Sequence, residues 1–319
     1  MTKLLSIGEL LIDMLPQDPQ NSAYLPIAGG APANVAVGYA KLGGKAAFCG
    51  GMGDDYFATQ LSNALAQYKV STEYLFTIKG SQTAVVIVSL DETGERSFNF
   101  YRHNTADLLL SVEHLVNIQW DELSTLHFCS NTLTDKTIAS TTLHALKLAK
   151  SNNKLVSFDV NLRYSLWQDT TQIAAVVARC YECCDIIKLS KDELNFLALQ
   201  TNQQPNDYLA QLLALGVKLI FVTDGANPAQ ALSKHFNIVL QAPAIKAIDT
   251  TSAGDAFIAG VLYYFNHFNT NTAVHEQILD EEMVAQAMDF GLRCGAQACL
   301  KKGAFPALPY LHNVIIPIG

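Results

Sequence analysis

Ile248-Asp249-Thr250-Thr251-Ser252-Ala253-Gly254-Asp255-Ala256-Phe257 runs directly into Ile258-Ala259-Gly260-Val261-Leu262. The apolar run from Ile258 reads as a helix, and the small residues before it read as its entry turn. A helix start leaves backbone N–H groups without intrahelical partners, and the aligned peptide dipoles add partial positive charge there. Ala253 and Gly254 carry too little side chain to cover that end, so a phosphate has room to sit on it. Asp255 is the oddity, because a carboxylate there repels a phosphate unless it serves to take a proton from an attacking hydroxyl. The combination points to phosphoryl transfer from a nucleotide to an alcohol. The plainer alternative, in which Thr, Ser and Asp only cap a buried helix, fits the same residues.

Upstream, from about Leu123, strand-like and helix-like segments alternate. Residues 125–129, 155–160, 185–189 and 218–223 read as strands, and 134–151, 172–184, 192–199 and 208–215 as helices. Repeated β-then-α units predict an α/β fold with a mostly parallel sheet covered on both faces and ligands beyond the strands' C-terminal ends. Polar residues cluster at those ends: Asp159-Val160-Asn161-Leu162-Arg163, then Ser190-Lys191-Asp192-Glu193, then Thr223-Asp224-Gly225. Arg163 offers a forked pair of donors suited to a hydroxyl or carboxylate.

The N-terminal third reads differently. Residues 3–7 form a first buried strand ending at Gly8, and 10–15 a second apolar segment. Asp13 in that segment is either a turn residue or an acceptor for polyol hydroxyls. Residues 16–21 are a turn cluster and 24–27 a short returning strand. Ala28-Gly29-Gly30-Ala31-Pro32-Ala33-Asn34 then opens a helix that stops at Gly43-Gly44. Pro32 suits the first turn, Gly29 and Gly30 let a ligand approach the backbone, and the Asn34 amide can both donate and accept. Residues 46–53 fit a strand. Residues 83–90 and 96–101 flank Asp91-Glu92-Thr93-Gly94-Glu95, a hairpin signal in which Phe98 and Phe100 alternate with polar neighbours. With the strands around 10–27, this hairpin predicts a small sheet that closes over a pocket. Arg102 at its edge is either a solvated charge or a ligand contact. Two nucleotide motifs fail: Gly51-Met52-Gly53 lacks a third glycine at the required spacing, and Gly44-Lys45-Ala46 lacks the hydroxyl residue of a Walker lysine. Residues 266–273, rich in Asn and Thr, read as a surface loop.

At 319 residues and 50% hydrophobic content the chain has enough apolar surface for one large core or two smaller ones. A net charge of −8 disfavours nucleic acid or an anionic membrane as the main partner. Glu9 and Asp13 interrupt the apolar start where a secretory peptide would be uninterrupted, and no apolar run approaches the roughly 18 residues of a membrane span. These readings predict a soluble, cytoplasmic protein. The seven cysteines include Cys180 and Cys183 at C-x-x-C spacing. No second pair or nearby histidine completes a zinc site, so reduced, mostly buried thiols are expected.

Five of these passages share a resemblance. Residues 249–257 resemble the C-terminal signature of the ribokinase-like (PfkB) carbohydrate kinases, and residues 28–44 resemble their N-terminal signature. Phe158-Asp159-Val160-Asn161-Leu162-Arg163 with Trp167 is similar to a run in fructokinases and their close relatives. Ser190-Lys191-Asp192-Glu193 resembles the family's Asn-x-x-Glu motif, and Thr223-Asp224-Gly225 its strand-end Thr-x-Gly. The tail from Gly295 through Gly303 to Pro309 resembles the fructokinase ending. The resemblance covers essentially the whole chain. It implies one PfkB-type kinase domain over 1–319, with a three-layer αβα core and a β lid from about 10–27 and 82–104.

The same resemblance implies an ATP-dependent sugar kinase, most similar to fructokinase, acting on the 6-hydroxyl of fructose. Asp255 would be the base, with the Ala253, Gly254 and Asp255 N–H groups stabilising the transferring phosphoryl. Asp13, Gly29, Gly30, Asn34, Arg102 and Arg163 would hold the sugar; Ser190, Thr223, Gly225 and Gly254 would meet the nucleotide. Glu193 would act through water on Mg²⁺, or else be an ordinary acid of a helix start. Asp249 and the tail would hold a monovalent cation such as K⁺, and the lid would double as a homodimer interface. Two positions depart from the family pattern: Ser252 replaces a glycine and Ser190 an asparagine. The alternatives are an aminoimidazole riboside or other nucleoside kinase, a 2-keto-3-deoxygluconate kinase, or a non-catalytic sugar-binding regulator.

Overall fold

Strands buried on both faces by helices read as nearly unbroken apolar runs, and such runs form the centre of this molecule. The computed structural model describes residues 3–92, 96–268 and 273–315. The chain opens with β1 (Lys3–Ile7), β2 (Leu11–Pro16), β3 (Tyr24–Gly29), α1 (Ala31–Lys41), β4 (Lys45–Met52), α2 (Tyr56–Gln67) and β5 (Ser71–Thr77). The hairpin strands β6 (Val85–Leu90) and β7 (Arg96–Tyr101) lead to β8 (Leu123–Cys129), α3 (Lys136–Ser151), β9 (Leu155–Asp159) and α4 (Ile173–Ala178). Next come β10 (Ile186–Ser190), α5 (Lys191–Gln200), α6 (Pro205–Ala214), β11 (Leu219–Thr223), β12 (Ala229–Leu232) and β13 (Asn237–Leu240). The last described elements are α7 (Ala253–His267), α8 (Val274–Gln277), α9 (Glu281–Ala298) and α10 (Leu311–Ile315).

The large sheet has nine strands in the order β13-β12-β11-β10-β9-β8-β1-β4-β5. Every pairing from β11 to β5 is parallel, and the β12–β13 hairpin adds an antiparallel edge. Side chains alternate across it. Leu155, Ile186, Leu219 and Phe221 pack with residues of α1, α2, α7 and α9, whereas Val156, Phe158, Ile187, Leu189 and Ile220 pack with α3 to α6. The chain leaves β1 towards β4 and β5, then returns to β8 on the other side. That reversal opens a crevice at the C-terminal ends of β1 and β8, where α/β sheets bind ligands. A second sheet, β3-β2-β6-β7, stands apart from the first. Its register pairs Val86 with Phe100 and Val88 with Phe98, so alternate residues share one apolar face.

Several elements differ from the sequence reading. The helix at 253 begins five residues before the apolar run at Ile258, because Ala253 and Ala256 are strong helix formers and the Asp255 carboxylate suits the positive end of the helix dipole. Asp255 is therefore inside the first turn rather than before it. Residues 172–184 form a short α4 flanked by 3₁₀ turns rather than one helix. The β-branched Val176 and Val177 are weak helix formers, and the chain must drop at once to β10, where the Asp185 N–H is tied to Val156 O. α2, β5 and the β12–β13 hairpin carry no reading from the sequence. α7 continues through the buried Asn266 to His267; of the expected 266–273 loop, 269–272 lie outside the described residues, as do 93–95 of the hairpin turn. Among the described residues no helix is long and apolar enough to cross a membrane.

Candidate active site

Two helix starts meet over the crevice. Asp255, in the first turn of α7 and 6% exposed, accepts a 2.8 Å hydrogen bond from Asn34 Nδ2 in the first turn of α1. Burial pushes the Asp255 carboxyl up to about 7, and the Asp159 charge adds to it, while Asn34, Lys188 and Arg163 pull the other way. The group thus changes charge near neutral pH, where a proton acceptor is most effective. In the same turn Ala253 N–H donates to Thr250 O at 3.2 Å and Ala256 N–H to Ser252 O at 2.9 Å. The N–H groups of Gly254 and Asp255 have no acceptor among the described residues.

The cavity beside Asp255 has an empty volume of about 530 Å³, counting the part open to solvent. Five side chains lining it carry a buried polar atom with no hydrogen-bond partner among the described residues: Glu9 Oε2, Asn34 Oδ1, Arg102 Nη2, Asn131 Oδ1 and Asn161 Nδ2. Native interiors leave few such atoms unpaired. Three acceptors and two donors around one cavity match a ligand rich in hydroxyls, each of which donates and accepts.

Each of these groups is held firmly. Glu9 follows Gly8 at the end of β1, and its Oε1 accepts from Ala31 N–H at 3.2 Å and Asn131 Nδ2 at 3.0 Å. Burial raises the Glu9 carboxyl, with Arg102 opposing. Arg102 is buried rather than solvated. Its Nε donates to Asp107, its Nη1 to Asn131 O at 3.1 Å. Asn161, just beyond β9, adopts a left-handed backbone with φ 37°. Asp13 in β2 is also pushed up to about 7, chiefly by burial, with Arg163 lowering and Glu9 raising it. A Cβ at Gly29 would lie 2.1 Å from Asp13 Oδ2, and one at Gly30 (φ 109°) would lie 2.4 Å from Glu9 O. The glycine pair therefore makes room for two carboxylate-bearing segments. Of the expected sugar residues, Asp13, Gly30, Asn34, Arg102 and Arg163 line this cavity and Gly29 packs behind Asp13.

The expected nucleotide residues lie outside that lining, along the neighbouring strand ends. Ser190 and Thr223 are register partners closing β10 and β11, and Gly225 (φ 55°) turns the chain after Thr223. Ser190 and Glu193 form a capping box at the start of α5: Ser190 Oγ accepts from Glu193 N–H at 3.1 Å, and Glu193 Oε2 from Ser190 N–H at 2.7 Å. Glu193 Oε1 also accepts from Leu162 N–H at 2.7 Å, tying α5 to the loop that carries Arg163. A carboxylate has about four lone-pair sites, so the two oxygens can still meet water. Asp249 Oδ1 accepts from Thr251 N–H at 3.0 Å and Oδ2 from Gly303 N–H at 3.0 Å, joining the approach to α7 with the tail after α9. Among the described residues no group of three or more His, Cys, Asp or Glu side chains could hold a metal. Mg²⁺ carried by phosphates and its own waters needs none.

Sequence reasoning passed over Glu9, Asn131, Asp107 and the Asp159–Lys188 ion pair, and quoted Asn161 without a role. Glu9 and Lys188 each interrupt an apolar run, a signal that was available; Asn131 offered none.

Comparison with known proteins agrees with this geometry. Residues 1–310 match the model of the pfkB family carbohydrate kinases. The chain is 36% identical over 319 residues, spanning 100% of both chains, to a fructokinase of Vibrio alginolyticus. It superposes with a TM-score of 0.93 on a Xylella fastidiosa fructokinase with bound ATP, at 37% identity and covering 98% of this chain and 97% of that one. A Vibrio cholerae fructokinase double mutant holding fructose, ADP and a potassium ion gives a TM-score of 0.87 at 33% identity, covering 99% of each chain. A signature match over nearly the whole length and a superposition this close leave one assignment: the chain belongs to the pfkB family of carbohydrate kinases.

Proposed function

We propose that this protein is an ATP-dependent fructokinase that phosphorylates the 6-hydroxyl of D-fructose. The observation that carries the reading is the set of five unpartnered polar atoms around a cavity that ends at Asp255. Asp13, Gly30, Asn34, Arg102 and Arg163 would position the sugar, with Glu9, Asn131 and Asn161 completing its hydrogen bonds and Gly29 leaving room for Asp13. Asp255 would take the proton of the attacking hydroxyl. The Gly254 and Asp255 N–H groups, with Ala253 opening the turn, would meet the charge on the transferring group, a preorganised arrangement worth several orders of magnitude in rate. Ser190, Thr223 and Gly225 would contact the nucleotide. Glu193 fits a water-mediated Mg²⁺ contact, and the ion supplies neutralisation of phosphate charge when bound. Asp249 and the tail would hold a monovalent cation such as K⁺.

The second sheet would act as a lid that excludes water as a competing nucleophile. Its outward face, with Tyr101 at 63% exposure, would pair two copies into a homodimer. All seven cysteines are free thiols, which suits a reducing compartment such as the cytoplasm.

The test is ADP release with ATP, Mg²⁺ and K⁺ across fructose, ribose, aminoimidazole riboside, 2-keto-3-deoxygluconate and a no-sugar blank. The highest kcat/KM on fructose is expected. A better acceptor among the others would overturn the substrate, and no sugar-dependent ADP from folded protein would turn the reading to a binding regulator.

A further inference from the structure

Lys188 stands in the middle of β10, Ile186-Ile187-Lys188-Leu189-Ser190, with fully buried apolar residues on both sides. A lysine in a central parallel strand loses its hydration and must be compensated. The compensation is Asp159, its register partner on β9: Lys188 Nζ lies 3.0 Å from each oxygen of that carboxylate. The other side of the ammonium meets Gly254, where a Cβ would come within 2.7 Å of Nζ. Glycine at 254 is thus a condition for the lysine's place, and the ammonium rests against the first turn of α7. The remaining ionisable groups around the pair are Asp255 and Glu193, which act on Lys188; Arg163, which acts on Asp159 and Asp255; and His127 and Cys129 on β8. His127 is held neutral, lowered to about 3 by burial first and Lys188 second.

A buried ion pair kept only for stability is replaceable by apolar residues of similar volume, often with a gain. This one is aimed at the helix end that the kinase reading assigns to the transferring phosphoryl group. We propose that Lys188, clasped by Asp159, is a positioning residue for phosphoryl transfer that places a fixed positive charge beneath Gly254. The inference rests on the kinase reading above. A charge already in place needs no reorganisation as negative charge develops. The same ammonium favours the ionised form of Asp255, whereas Asp159 opposes it; removing the lysine alone leaves the Asp159 charge opposed only by Arg163 and the Asn34 hydrogen bond.

The experiment compares wild type, Lys188→Met and the double variant Lys188→Met/Asp159→Asn, each checked for folding by circular dichroism, in steady-state kinetics against pH. Wild-type ADP release is measured first, and its absence with every sugar sinks the kinase reading itself. With an active wild type, Lys188→Met is expected to lower kcat about 100-fold with fructose KM changed less than about 3-fold. Its acidic limb in kcat/KM should also move up by about one pH unit. The double variant restores a neutral pair, so its limb should return to the wild-type position while kcat remains about 100-fold low. If Lys188→Met does not fold, the double variant decides alone: kcat within about 3-fold of wild type overturns the proposal. A loss of rate expressed wholly as a raised KM, with the limb unmoved, also overturns it, because that is the mark of a pair that only shapes the pocket.

Discussion

Replacing Asp255 by Asn should remove nearly all turnover and at the same time stabilise the fold, and the stabilisation should depend on pH in a defined way. The carboxyl is 6% exposed and is raised from 3.8 to about 7, burial being the largest cause and Asp159 the next. A raised carboxyl means that between these two values the unfolded chain has released a proton that the folded chain keeps. Stability from this group therefore falls as pH rises through that window and levels off above about 7. At 1.36 kcal/mol per unit, the shift corresponds to up to about 4 kcal/mol of destabilisation above pH 7. The substituted amide keeps an oxygen to accept the bond from Asn34 Nδ2 but never ionises, so the variant escapes this term. Urea unfolding at about pH 8 should show the variant more stable by up to about 4 kcal/mol, with the gain smaller by up to about 3 kcal/mol at about pH 5. ADP release should drop by about 10²–10⁴-fold, the usual contribution of a general base. In the wild type, kcat/KM should rise with pH through about 7, as the base ionises. A stability gain equal at both pH values would refute the buried-charge argument. Retention of more than about a tenth of wild-type kcat would remove Asp255 as the base.

Three further outcomes follow from contacts around the cavity. Gly29→Ala puts a methyl group into Asp13 Oδ2; fructose KM should rise about 10- to 100-fold, the worth of a charge-assisted hydrogen bond, with the KM for ATP unchanged, and an unaltered fructose KM would dismiss Asp13 as a sugar ligand. Asp107→Ala leaves the buried Arg102 guanidinium without its counter-charge, so urea unfolding should show a loss of about 3–5 kcal/mol; a loss below about 1 kcal/mol would mean that water reaches Arg102. Asp249→Ala cuts the link to Gly303, and stimulation of kcat by K⁺ over choline should disappear while fructose KM holds; an intact K⁺ response would place the cation elsewhere.

The α/β core was legible because its signals are local and periodic. β1, α1 and β6 to β11 follow from apolar runs, glycine stops and a hairpin pattern, and the end of each parallel strand then marks where ligands bind. What periodicity cannot supply is which strand ends converge. Asn131 follows β8 and Asn161 follows β9, and nothing in either neighbourhood ties them to Glu9 after β1. Only the reversal of strand order around β1 brings the three together. α4 shows the converse limit, since 172–184 has enough apolar residues for a helix but the drop to β10 cuts it short. The residues that could have been found are those that break a local rule. Glu9 stands in an apolar run after Gly8, and Lys188 stands among Ile187 and Leu189. Each puts a charge where a buried apolar run should have none, towards the C-terminal ends of the parallel strands, where α/β folds place their chemistry. A charge in that position must be compensated by partners that sequence spacing does not reveal. Here those partners are Asn131 and the Ala31 N–H for one, Asp159 for the other; the first set lines the cavity, and the second holds Lys188 against Gly254 at the start of α7.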